Sequence, residues 1–302
     1  MMSTRLETNT SKRALPNLGD FLQLTKMRLA LSVVFSALAG YFLAAPTYDA
    51  GVILYLFLGG YAMVGASNAF NQILEVKRDA QMKRTQNRPL PAGRMTTGQA
   101  FGIAALLTLA GAYFLYAINP RTAIYGMVSI FLYVCCYTPL KTVTPLSVFV
   151  GAFPGAIPYM LGWVAYTGTF GIEPGILFML QFFWQFPHFW AIGWQLEDDY
   201  NKAGFKMLPT GKADQATAFQ IIFYSLWTIA ISLLPYTHYT GALQLSLGGV
   251  VVLLLLGAGF LYYGIRLMRR KTKKEARQLT FASIGYITLV QIVYVLDKLI
   301  QL

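Results

Sequence analysis

Apolar residues in this chain come in runs of helix length, each closed by charge, proline or glycine. At 1.5 Å per residue, about 20 apolar residues in a row suffice for a helix to cross a hydrocarbon layer. The pattern predicts spanning helices near 27–45, 51–73, 98–117, 121–140, 145–166, 175–195, 217–235, 242–265 and 279–298. That makes about nine, and no segment alternates with the period of two expected of a membrane barrel strand. The fold expected is therefore an all-α membrane protein. Where the second run ends, Asn71, Glu75 and Asp79 stand four apart. On an α-helix these positions share one face, so they form a ladder of oxygen ligands, one per turn. Lys77, Arg78, Lys83, Arg84 and Arg88 crowd the same stretch. Carboxylates and cations interleaved at a membrane surface suit a diphosphate carried on Mg²⁺, which needs one set for the metal and the other for phosphate oxygens.

Composition sharpens this picture. A chain of 302 residues that is 56% hydrophobic and only 12% charged is too apolar for an ordinary soluble domain. The net charge of +12 raises the question of nucleic acid. If the N-terminus is cytoplasmic, however, all of the 24 Lys and Arg except Arg121 and Lys298 fall on the cytoplasmic side. The excess is thus mostly a topology signal that places the N-terminus inside and the C-terminus outside. It is spread over separate segments with no nucleic-acid-binding module. Residues 1–24 are polar, contain no secretory apolar stretch and read as a cytoplasmic tail, with 25–302 as one polytopic domain. Cys135 and Cys136 are neighbours within a predicted helix and read as small packing residues. With two His and two Cys in all, a compact zinc site is not expected.

The chain also echoes itself. Leu90-Pro91-Ala92-Gly93-Arg94, with Ala100-Phe101 after it, returns as Leu208-Pro209-Thr210-Gly211-Lys212 with Ala218-Phe219. The same offset pairs Asp79 with Glu197, Arg84 with Lys202 and Arg88 with Lys206. Two related four-helix halves around a central cavity, plus a ninth helix, are the expected architecture. The acidic cluster Glu197-Asp198-Asp199 would then answer the first ladder across the cavity, and two acidic sites suit two Mg²⁺ ions bridging one diphosphate. Acidic residues at helix ends are also often merely solvated, and that reading stays open for this cluster.

These motifs resemble the UbiA superfamily of intramembrane prenyltransferases, whose second helix carries N-x-x-x-D-x-x-x-D and whose sixth carries a D-x-x-x-D-like pattern. Here Glu75 takes the middle place of the first, and Tyr200 follows Asp199 where the second lacks its last acid. Within the superfamily the branch acting on heme is most similar. The similarity rests on Met82-Lys83-Arg84-Thr85-Gln86-Asn87-Arg88-Pro89-Leu90-Pro91, Tyr137-Thr138-x-x-Lys141, Gly151-x-x-x-Gly155 and Pro187-His188-Phe189-Trp190. The resemblance implies transfer of farnesyl from farnesyl diphosphate to a vinyl group of heme b, with water added, giving heme O and diphosphate. The setting it implies is the bacterial cytoplasmic (inner) membrane, with the active site on the cytoplasmic side. A heme A synthase or terminal oxidase assembly would take the product. It further implies Asn71, Glu75 and Asp79 at the first Mg²⁺, and Asp198 and Asp199 at the second. Lys83, Arg84, Arg88, Lys141, Lys202 and Lys206 would hold diphosphate or heme propionates. Tyr137, Trp184, Phe186 and Trp190 are candidates to steady an allylic cation. His188 would ligate or orient heme, or else hydrogen-bond a neighbouring helix. Two other readings remain: a quinone-precursor or chlorin acceptor, and a transporter. Against transport, the charges gather at one membrane face.

Overall fold

The computed structural model describes residues 17–301. Its helices are α1 (Leu18–Thr25), α2 (Met27–Ala44), α3 (Ala50–Asp79), α4 (Thr97–Ile118), α5 (Pro120–Phe131), α6 (Thr138–Leu140), α7 (Ser147–Thr167), α8 (Ile172–Gln195), α9 (Glu197–Ala203), α10 (Gln215–Leu233), α11 (Leu247–Arg270) and α12 (Lys273–Gln301). A π-helical turn, Leu132–Tyr137, joins α5 to α6. Side-chain caps set many of the boundaries. Asp49 Oδ1 accepts from Gly51 N–H and Val52 N–H at the start of α3. Thr96 and Gln99 form a capping box on α4, and Asn119 followed by Pro120 opens α5.

Among the described residues, eight helical spans are long and apolar enough to cross a membrane: α2, α3, α4, Pro120–Leu140, α7, Gln215–Thr237, α11 and α12. The ninth long helix, α8, has 24 residues and lies where the pattern places it. Its Gln181, Gln185, His188, Trp184, Trp190 and Trp194 make it more polar, and it sits between α7, α10 and α12. From Leu180 to Gln195 none of its residues is exposed. A helix sheltered by others can carry polar groups that lipid would not accept.

The two expected halves are present. In the first, α2 packs on α3, α3 on α4 and α4 on α5; in the second, α7 packs on α8, α8 on α10 and α10 on α11. The halves join where α2 crosses α7, and α12 closes the assembly against α8, α11 and α2. The repeated turns also match in conformation, because Gly93 and Gly211 take φ of +71° and +80°. Such φ values favour glycine, and the preceding Leu90 and Leu208 are both buried.

Small residues set the join between the halves. A Cβ on Gly162 would lie 1.8 Å from the Ala37 carbonyl oxygen, and one on Gly40 would lie 2.1 Å from that of Tyr159. Backbone therefore touches backbone, the close approach by which helices associate in lipid. Gly162→Val is expected to prevent the halves from docking and to abolish the monodisperse peak in size-exclusion chromatography. A normally folded variant would contradict this account of the join.

Residues 1–16 lie outside the described residues, but α1 is folded onto α3. Asn17 Oδ1 accepts from Asp20 N–H at 2.8 Å to start α1, and Asp20 pairs with Arg94 at 2.8 Å. Gln72 donates to the carbonyls of Gln23 and Leu24, which secures its far end. The polarity of this segment serves contacts with the body of the protein.

Candidate active site

The long helix α3 carries the ladder into the protein. Asn71, Glu75 and Asp79 are 1%, 5% and 1% exposed, and each is met by a partner from elsewhere. Asn71 donates Nδ2 to Thr138 Oγ1 at 3.2 Å. Glu75 Oε1 accepts from Lys141 Nζ at 2.9 Å, and Asp79 Oδ2 from Arg88 at 2.7 Å. Carboxylates this deep are tolerable only when paired. The remaining oxygen, Asp79 Oδ1, is buried without a hydrogen-bond partner among the described residues. An unpartnered carboxylate oxygen one helical turn from a second carboxylate fits a hard divalent cation, which takes oxygen ligands.

The partners arrive by way of the π turn. Pro139 has no N–H and its ring crowds the carbonyl four residues back, so the helix widens before it. Thr138 N–H reaches the Tyr133 carbonyl, five residues earlier, and its hydroxyl donates to the same oxygen at 2.8 Å. Tyr137, Thr138 and Lys141 then face α3. The Lys141 ammonium stands 4.5 Å from the centre of the Tyr137 ring and 5.8 Å from that of Phe205. Burial pushes the Lys141 pKa down, and the Glu75 carboxylate opposes that shift. Tyr137 is pinned from behind by Gly151, where any Cβ would come within 2.6 Å of its ring.

The second acidic cluster departs from the expected symmetric clamp. Asp198 is on the exposed side of α9 and pairs with Lys273, which holds its carboxyl below the usual range. Glu197 Oε1 accepts from Ala213 N–H at 2.8 Å and closes the loop after α9. Asp199 is half-buried, and its charge acts on the Tyr200 phenol together with those of Arg84, Glu75 and Arg88. Burial pushes the Tyr200 phenol up, with Glu75 and Asp199 adding and Arg84 and Arg88 opposing. Among the described residues no three acidic, imidazole or thiol groups converge on a point that could hold a metal. α9 is a separate helix that turns its three acids in different directions, so the pattern does not repeat the ladder.

The cations also divide. Arg88 and Lys141 touch the ladder, and Arg84 acts on Tyr200 and Lys26. Lys83 and Lys202 are exposed. Lys206 is exposed as well, and it ties the loop after α9 to the turn after α6 through Lys206 N–H to Lys141 O at 2.6 Å and Nζ to Val143 O at 3.2 Å. Phe186 and Trp190 are buried against Tyr224. Trp184 stacks on His188 with centroids 4.7 Å apart.

Two further residues lie near these partners. Tyr200 interrupts the acidic motif, and its ring meets that of Phe205 edge-on, with Phe205 in turn 5.8 Å from the Lys141 ammonium. Lys26 sits at the break between α1 and α2 with φ of +49°, an unusual conformation for a residue with a side chain. Burial brings its ammonium down to about 7, with Arg88 and Lys141 adding and Glu75 opposing. The charges that act on it are those of the ladder and its partners.

Below the ladder the same stripe of α3 becomes apolar. Ser67 and Met63 continue the spacing of four from Asn71, and both line a narrow groove together with Ala37, Leu115, Gly126 and Leu161. Apart from Ser67 and Ser129, the side chains that line this groove are apolar.

Known proteins of this shape share the arrangement of helices. One solved structure, of digeranylgeranylglyceryl phosphate synthase, superposes with a TM-score of 0.76 at 17% identity over 93% of this chain and 98% of that one. A UbiA homolog from Archaeoglobus fulgidus bound to DMAPP and Mg²⁺ gives 0.66 at 14% identity, covering 90% and 99%. In sequence, the chain is 64% identical over 284 residues to a protoheme IX farnesyltransferase of Christiangramia forsetii, covering 94% of this chain and 95% of the relative. It is 58% identical to that of Flavobacterium psychrophilum with the same coverage. The profile of the UbiA prenyltransferase family matches residues 33–285, a stretch that contains the whole ladder and its partners, and the chain belongs to that family.

Proposed function

We propose that this integral membrane protein transfers farnesyl from farnesyl diphosphate to a vinyl group of heme b. Water completes the addition, and the products are heme O and diphosphate. The observation that carries this reading is identity of 64% and 58%, along nearly the whole chain, to protoheme IX farnesyltransferases. The site supports it. Asn71, Glu75 and Asp79 would hold Mg²⁺, with Asp199 the acid of the second cluster best placed to assist a further ion. Bound there, Mg²⁺ would offset negative charge developing on the leaving diphosphate. Arg88, Lys141, Arg84 and Lys26 would bind the diphosphate oxygens.

Glu75 and Asp79 are kept in place by Lys141 and Arg88. Those cations are therefore already positioned when the substrate arrives, and orientation is settled before chemistry. The farnesyl chain would follow the groove beyond Ser67 and Met63. As the allylic C–O bond breaks, its electron pair leaves with diphosphate and the farnesyl carbon becomes cationic. The Tyr137 ring, already facing the Lys141 ammonium, can face that cation in turn. The vinyl π electrons form the new C–C bond, and the second cation takes hydroxide from water, whose proton leaves with diphosphate. The cations gather at the end that the positive-inside rule makes cytoplasmic, in the bacterial inner membrane. A heme A synthase or terminal oxidase assembly would receive the product.

Offering alternative acceptors tests the reading. Diphosphate release should require heme b and be negligible with an aromatic quinone precursor or a chlorin. Release with either of those instead would keep the prenyl chemistry and overturn the acceptor.

Lys26 makes the binding step depend on pH. Its ammonium pKa is about 7 without ligand, and an adjacent diphosphate must raise it. Binding then takes up a proton above pH 7, so affinity for farnesyl diphosphate is level below that point and weakens by about tenfold per unit above it, until the bound-state pKa is reached. Lys26→Arg stays charged throughout and should remove this component. Titrations of both proteins at several pH values cancel the ionisation of the ligand itself. Parallel curves would exclude Lys26 from the diphosphate site.

A further inference from the structure

His188 is held more tightly than helix packing requires. Its Nδ1 is 2.7 Å from Ser283 Oγ. The Ser283 hydroxyl donates its single proton to the Thr280 carbonyl at 2.7 Å, so it can only accept from the imidazole. This fixes the neutral tautomer with the proton on Nδ1 and a lone pair on Nε2, for which no hydrogen-bond partner is found among the described residues. Trp184 locks the ring plane by stacking on it at 18°, and is itself anchored by its indole N–H to the Ser283 carbonyl at 2.7 Å. Three residues on two helices thus converge to aim one lone pair.

His188 is half-buried, in a stretch of α8 from Leu180 to Gln195 that exposes no residue. Along α8 it stands seven residues before the end at Gln195, about 10 Å in from the polar face at 1.5 Å per residue. Asn71 lies eight residues, about 12 Å, inside the end of α3 at Asp79. Counted from the ends of their own helices, the imidazole and the inner rung of the ladder are set back by similar lengths.

A neutral imidazole whose other nitrogen donates to a fixed oxygen is the arrangement that protein metal ligands use. We propose that His188 Nε2 is an axial ligand to the iron of the acceptor porphyrin, with Ser283 and Trp184 as its positioning residues. Ligation anchors the porphyrin at its centre, so that the ring edge bearing the vinyl can be presented towards the allylic carbon, while the propionates extend to the basic rim. This rests on the heme acceptor proposed above and adds the point of attachment.

The test is resonance Raman spectroscopy of ferrous heme bound to the purified protein, run beside the product assay. The wild type should show an iron–imidazole stretch. His188→Gly should lose it and regain it with added imidazole, and His188→Gln, which keeps an amide donor for Ser283, should also lose it. His238→Gln, on the far loop, should leave it intact. Ser283→Ala should weaken heme binding by about ten- to a hundredfold, the usual effect of removing a ligand's supporting hydrogen bond. An unchanged spectrum in His188→Gln, with heme O still formed by the wild type, overturns the ligation and leaves the acceptor standing. Failure of the wild type to bind heme overturns both.

Discussion

Asp79→Asn is expected to lower turnover by roughly a hundred- to a thousandfold while the protein still folds, the scale seen when one preorganised electrostatic group is lost from a transition state. The substitution keeps volume and polarity at a position only 1% exposed, so packing around it changes little. What disappears is the negative charge that Arg88 meets at 2.7 Å and the unpartnered oxygen best suited to a divalent cation. Rate measurements across a range of Mg²⁺ concentrations separate the causes. Partial recovery at high Mg²⁺ would mark lost metal affinity, whereas a rate equal to that of the wild type would remove Asp79 from the site. Asp198→Asn serves as contrast. Its carboxylate is 72% exposed and paired with Lys273, and surface pairs of this kind contribute little. Turnover should stay within about twofold of the wild type, well under the free-energy equivalent of a tenfold change.

The second large effect concerns the buried pair of Glu75 and Lys141. Lys141→Met leaves the Glu75 carboxylate buried without its 2.9 Å partner, which should cost about 3–5 kcal/mol of stability. Adding Glu75→Gln removes the stranded charge and should restore much of the thermal stability, because neighbours in one pair do not act additively. Activity should not return, since both the carboxylate charge at the metal and the diphosphate cation are gone. Thermal unfolding in detergent and turnover, measured on both singles and the double, decide the matter. A double variant as unstable as Lys141→Met alone would show that the lysine acts through its contacts with Tyr137 and Phe205 rather than through charge.

Much of this was legible because the membrane enforces plain rules. Apolar runs mark spans, and a polar stripe at a spacing of four stands out inside one, so the nine helices and the first ladder could be read directly. The echo of Leu90 to Gly93 in Leu208 to Gly211 was legible because both turns need a glycine with positive φ. The second acidic cluster was not, since sequence spacing presumes one continuous helix. The break between α8 and α9 redirects Asp198 to Lys273 and brings Tyr200 inward. Lys26 was hidden for a similar reason: its orientation depends on a backbone reversal between two helices. The π turn had a visible cue in Pro139, but a proline can end, kink or widen a helix, and packing decides which. The polarity of α1 has a reason that lies far away in sequence: Asp20 and Gln23 meet Arg94, and the carbonyls of Gln23 and Leu24 accept from Gln72.

The most direct measurement is the mass of the heme extracted after the purified protein reacts with farnesyl diphosphate, Mg²⁺ and heme b in ¹⁸O-labelled water. A product carrying one farnesyl group and one labelled hydroxyl, absent with chelator and absent with Asp79→Asn at low Mg²⁺, is the predicted result. Unmodified heme, or farnesylated heme without the labelled oxygen, would contradict it.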